Sequence, residues 1–89
     1  MKILVSVYDS VSNLYSDPFL EVNEEAAIRN FRLGATQNPT INACPADFEL
    51  RLIGQFSEQI GSINGVEFDG LNYKTLIKAS DVVKSIEHY

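Results

Sequence analysis

Cysteine, histidine and tryptophan are almost missing from this chain: one Cys (Cys44), one His (His88) and no Trp. A lone cysteine cannot close an intramolecular disulfide, so nothing calls for an oxidising compartment. Cys44 has no His, Lys or Arg beside it to lower its pKa, and it reads as a small buried apolar group. His88 is the penultimate residue, a poor position for a general base. Glycine-rich phosphate loops are absent too, since Gly34, Gly54, Gly61, Gly65 and Gly70 read as turn and helix-end residues. Asp9 and Asp17, or Glu24 and Glu25, are carboxylates of the type metals bind, but at turns and helix starts such residues are far more often structural. The expectation is a non-enzymatic protein with no catalytic residue, no metal site and no cofactor.

Positive charge is scarce as well. Seven Lys and Arg face twelve Asp and Glu, a net charge of -5. That balance lacks the overall electrostatic footprint of a histone-like or arm-type nucleic-acid binder. No apolar run reaches the ~18 to 20 residues needed to cross a bilayer. The opening MKILVSVYDS lacks the apolar length and cleavage site of a signal peptide. Asn38-Pro39-Thr40 fails as a glycosylation acceptor because of its proline. No membrane association is expected, and the simplest location is a reducing cytoplasm.

What is present is an ordinary globular mixture, 45% hydrophobic and 21% charged over 89 residues, which excludes disordered and low-complexity classes. No linker or repeat divides it, so residues 1–89 read as one domain. From Lys2 to Tyr8 the residues alternate: Ile3, Val5 and Val7 point one way, and Leu4, Ser6 and Tyr8 the other, as in a strand. Asp9 to Asp17 reads as a loop, followed by an extended piece, Phe19 to Val22. Asn23 is an N-cap, Glu24 and Glu25 suit the first turn, and Ala27, Ile28, Phe31 and Ala35 form one apolar stripe. The spacing predicts a helix over 24–36, with Glu25 paired to Arg29 and Gly34 in the last turn. Thr40 to Ala46 reads as a connector.

Phe48, Leu50 and Leu52 alternate with Glu49 and Arg51, the pattern of a half-buried strand. Gly61 is suited to a left-handed turn that returns the chain as Ser62 to Val66, with Asn64-Gly65 as a second turn signal. Tyr73 to Ala79 reads as a strand with Tyr73, Thr75 and Ile77 on one face. Ser80 caps a short helix over Asp81 to Glu87. The fold expected is α+β: a small, largely antiparallel sheet, one main amphipathic helix packed on one face, and a short C-terminal helix.

Three motifs are more distinctive: YDS (8–10) followed by DPF (17–19), EAAIRNF (25–31), and PADFEL (45–50) leading into IGQF (53–56) and a glycine turn. Over residues 7–63 the chain resembles the small non-structural protein of gokushoviruses, a subfamily of the Microviridae single-stranded DNA phages. The resemblance implies a phage protein absent from the mature virion, acting in the host cytoplasm. It also implies a DNA-binding role in the switch from duplex replication to single-strand synthesis and viral genome packaging. The family carries over no catalytic residue, ligand set or cofactor.

Two functional readings follow. In the first, single-stranded DNA is held by weak, salt-sensitive contacts through Arg29, Arg32 and Arg51, with Lys74 and Lys78 adding charge and Tyr8, Tyr15 and Tyr73 stacking on bases. The bland counterpart pairs Arg29 with Glu25 and Arg51 across the sheet, with the tyrosines edging the core. In the second reading the protein is an adaptor for the replication initiator, host replication proteins or the procapsid, without touching DNA. A sheet edge, self-association, or Val11, Leu14 and Tyr15 would supply the contact, unless that loop folds back over the core. Convergence of the cations on one face favours DNA; scatter, or pairing with carboxylates, favours the adaptor.

Overall fold

The alternating run at the N-terminus forms β1 (Lys2–Asp9), and the second alternating run forms β4 (Phe48–Phe56). These two strands pair antiparallel along their whole length, from Lys2 opposite Phe56 to Asp9 opposite Phe48. The computed structural model describes residues 1–83. Its sheet has six strands, all paired antiparallel. The outer edge of β1 is taken by β3 (Phe19–Glu21) beside Ile3–Val5 and by β2 (Leu14–Tyr15) beside Tyr8 and Asp9. On the far side of β4 lie β5 (Ile63–Gly65) and β6 (Lys74–Lys78).

One face of this sheet carries the core. Val5, Leu50 and Leu52 project there with partly buried Ile3, Val7 and Phe48, as their alternation requires. Against them packs α1 (Glu24–Gln37) through Ala27, Phe31 and Ala35, the expected stripe. Its N-terminus is closed by Asn23, whose side-chain oxygen accepts the Ala26 N–H at 2.8 Å. The helix stops at Gln37 because Pro39 holds Asn38 extended. Asn38 then caps a helix that the sequence reading missed, α2 (Pro39–Ala43), accepting from the N–H groups of Thr40 and Ile41. A last short helix, α3 (Ala79–Val83), adds Ala79 and Val82 to the core. It starts ahead of the expected Ser80 cap; its expected continuation to Glu87, and His88, lie outside the described residues. The expected α+β architecture is the one observed.

Several local readings are corrected. Cys44 is exposed, because Ile41 fills the inward position of that connector. Gly54 lies inside β4 rather than at a turn, where a Cβ would stand 2.9 Å from the Asn64 carbonyl oxygen. Asn64 and Gly65 belong to β5, so no second turn occurs there. The turn that does form is Phe68–Leu71, with Asp69 and Gly70 both at positive φ, the backbone a type I′ hairpin demands. Gly61 does adopt the left-handed conformation, at φ +71°.

Tyr73, Thr75 and Ile77 do not share a face. The β4–β6 register shifts between Leu50 and Arg51, so Ile77 pairs with Leu50 on the core side while Thr75 pairs with Arg51 on the other. That bulge brings Tyr73 and Thr75 to the uncovered side of the sheet.

Candidate nucleic-acid interface

Among the described residues no helix lies over the sheet face opposite α1, and the middle of that face is built by alternation. Leu50 and Leu52 turn into the core, so Arg51 between them must turn out, opposite Ser6 of β1. Glu49 and Tyr8 face each other one step further along the same side. Arg51 is held on all sides. Its guanidinium carbon lies 3.8 Å from the ring centre of Tyr8 and 3.8 Å from that of Tyr73. In its plane, Nε donates to Glu49 Oε2 at 2.6 Å and an Nη donates to the Tyr15 hydroxyl at 2.7 Å. Tyr15 in turn leans on Tyr8, ring centres 4.9 Å apart and planes tilted by 54°.

The loop that carries Tyr15 is pinned from below. Ser6, fully buried, donates to the Ser16 carbonyl at 2.7 Å, and the Ser16 hydroxyl accepts the Val7 N–H at 2.9 Å. At the loop tip Asp9 accepts the N–H of Val11, Asn13 takes positive φ, and the Tyr8 hydroxyl donates to Asn13 Oδ1 at 2.9 Å. Val11 and Leu14 remain exposed, so the loop does not tuck them over the core. Each ring is thus fixed by its own local contacts, and no large rearrangement is needed to present them.

The electrostatics are nearly balanced. Burial alone would push the Glu49 carboxyl up, but hydrogen bonds from Arg51 and Thr75, with the charges of Arg51 and Lys78, outweigh it and hold the group below the ordinary carboxylate range. Burial would likewise ease the Arg51 proton off, yet bonding to Glu49 and Tyr15 holds it more firmly than usual. Lys78, in register with Glu49, adds a second cation beside this cluster, while Lys2 lies on the same face at the far end of β1.

Five of the eight residues singled out in the sequence therefore gather here: Tyr8, Tyr15, Arg51, Tyr73 and Lys78. The other three do not. Lys74 is in register with Leu52 on the core side, where its amine donates to Glu24 of α1 at 3.2 Å. Arg29 and Arg32 stand on the exposed side of α1, across the sheet from Arg51, and Arg29 forms no ion pair with Glu25. Arg51 pairs along its own strand with Glu49 rather than across the sheet. The tyrosines lie on the face away from the core instead of edging it.

Glu49, Thr75, Ser6, Ser16 and Asn13 complete the site and were missed. The two-residue step from Glu49 to Arg51 was the available signal, since it puts opposite charges on one face of one strand. Among the described residues no cluster of three or more His, Cys, Asp or Glu is placed to hold a metal, and no helix is long and apolar enough to cross a membrane.

Comparison with known proteins gives one family. Residues 2–82 match the family described as Phage ORF5 protein. The chain belongs to that family. The match of the Phage ORF5 protein family takes in all six strands, α1 and every residue of the tyrosine–arginine cluster, well beyond the span 7–63 on which the phage resemblance rested. No curated protein and no solved structure matches the chain.

Proposed function

We propose that this phage protein binds single-stranded DNA on its uncovered sheet face, by stacking unpaired bases on tyrosine rings more than by gripping phosphates. The observation that carries this reading is the convergence of Tyr8, Tyr15 and Tyr73 around one immobilised cation on a face over which none of the described residues forms a second layer. Ring stacking is indifferent to base identity and contributes about 1–3 kcal/mol per base. It also suits an acidic chain, which gains little from long-range attraction to DNA. On this reading the protein is non-enzymatic, works in the host cytoplasm in genome replication or the hand-over to packaging, and stays out of the mature virion, as its resemblance to the gokushovirus non-structural protein implies.

The adaptor reading rests on a different observation: the basic side chains are scattered, and two of them are engaged, Arg51 with Glu49 and Lys74 with Glu24. Titrating a fluorescent single-stranded oligonucleotide at two salt concentrations separates the two. Binding in low salt that weakens with a shallow slope supports DNA contact. No binding in low salt removes it, and pull-down of the replication initiator or capsid protein from infected cells then tests the adaptor.

A further inference from the structure

Two irregularities of the sheet flank Arg51. The register of β6 shifts opposite Leu50 and Arg51, and that of β1 shifts between Leu4 and Val5, which pair with Gly54 and Leu52. Ile53 is therefore skipped by β1. It is skipped on its other side as well, because β5 ends at Gly65 opposite Gly54 and β6 begins at Lys74 opposite Leu52. Such a bulge re-aims the side chain it carries. Half-buried Ile53, with Tyr15 and Asn72, lines a cavity of about 230 Å³ beside the tyrosine–arginine cluster.

Each wall of this cavity has its own chemistry. Ile53 supplies an apolar floor. Tyr15 supplies an aromatic wall already held in place, since its hydroxyl accepts from Arg51 and its ring leans on Tyr8. Asn72 is delivered by the Phe68–Leu71 turn, immediately ahead of Tyr73. Its side-chain amide carries both donors and an acceptor, and among the described residues it has no hydrogen-bond partner. A volume of about 230 Å³ falls below the ~300–1,000 Å³ of pockets that hold drug-sized molecules, so it suits one flat ring and not a segment of another chain.

We propose that this cavity takes one unpaired base of the bound strand and that Asn72 reads its edge, with adenine preferred. This rests on the stacking reading of the same face. Tyr15 belongs to both the ring cluster and the cavity, so a strand stacked on that ring passes the cavity mouth. Stacking accepts any base, whereas an amide selects. Adenine sets its N6 amino donor beside the N7 acceptor, the pair that asparagine meets with two hydrogen bonds. The same edge of guanine carries two acceptors, and that of thymine one acceptor and a methyl group, so neither gives the amide both bonds. In a single strand these edges are uncovered.

Fluorescence anisotropy with three strands tests it: an oligothymidylate, the same strand with one adenine, and the same strand with one adenine analogue holding carbon in place of N7. The adenine strand is expected to bind about fivefold tighter or more than the all-thymine strand, and the analogue to lose that gain. Asn72→Ala should bring the ratio of the first two affinities back to about one. The analogue alters the ligand alone, so its result does not depend on how the variant folds. Equal binding of all three strands by the unaltered protein overturns the base pocket and leaves stacking in place. A gain that survives in Asn72→Ala, folded by circular dichroism, overturns it too. If no strand binds in low salt, the stacking reading falls and the pocket falls with it.

Discussion

Arg51 and Tyr73 meet face to face, the guanidinium carbon 3.8 Å from the ring centre. Tyr8 closes the other side of the guanidinium at the same distance. Among the described residues the helices cover one face of the sheet, and on the other this stack takes the place of a second layer. It shields β4 from water with groups that are themselves half polar.

Removing that cation unties four contacts at once. Each stacked ring is worth about 0.5–1 kcal/mol at a partly exposed site, and Glu49 would lose its charged donor. Arg51→Ala is expected to cost about 2 kcal/mol, a fall of about 10 °C in Tm for a domain this small. Arg51→Lys recovers less than half, because an ammonium cannot fill a flat slot between two rings. Thermal unfolding followed by circular dichroism decides; an unchanged Tm for Arg51→Ala would show the stack to be energetically idle.

Acid should loosen the same cluster. The Glu49 carboxyl is depressed in the folded chain, so its contribution to stability is complete above the ordinary carboxylate value of 4.5. That contribution shrinks as pH falls from there and is gone below the folded value. Glu49→Gln is expected to lower stability at neutral pH and to flatten this part of the acid limb. Denaturant midpoints for both proteins between about pH 3 and 7 check it; parallel curves would clear Glu49 of any role.

Half of this arrangement was legible in the sequence. Period-two alternation placed Arg51 outward and Leu50 inward, and the capped stripe located α1 to within a residue. Alternation fails wherever a strand gains a residue: the bulge opposite Leu50 and Arg51 sends Ile77 inward and leaves Tyr73 and Thr75 outward, a shift written nowhere in local composition. Pairing of charges is equally non-local. Lys74 meets Glu24 fifty residues away, a contact set by how α1 crosses the sheet. Asp69-Gly70, by contrast, was a readable hairpin signal that went unweighed.

Two glycines should answer oppositely to alanine. At Gly54 the added methyl would stand 2.9 Å from the Asn64 carbonyl oxygen and 3.4 Å from Leu4 Cδ1, so β5 must move; a loss of about 1–3 kcal/mol is expected. At Gly34 the methyl enters open space in a helix, and a gain of up to about 1 kcal/mol follows. Unfolding in urea compares them. A gain at Gly54 would mean that β5 does not lie against it.

The placement of the cations makes the sharpest prediction about DNA. Arg29 and Arg32 project from the far side of the molecule, Arg51 is occupied by Glu49 and Tyr15, and Lys2 lies at the other end of β1 from Tyr8, so among the described residues Lys78 is the cation beside the tyrosines placed to meet a phosphate. Each phosphate neutralised adds about 0.7 to the salt slope for a single strand. The slope should therefore lie near one or two phosphates' worth, far below what three arginines would give. Arg29→Ala with Arg32→Ala should leave affinity for an oligothymidylate unchanged. Tyr15→Ala or Tyr73→Ala should each weaken it by about 1–3 kcal/mol, roughly 5- to 150-fold. Fluorescence anisotropy on the folded variants measures all of these. Should the helix arginines matter and the tyrosines not, the strand binds across α1 and the sheet face has been misassigned.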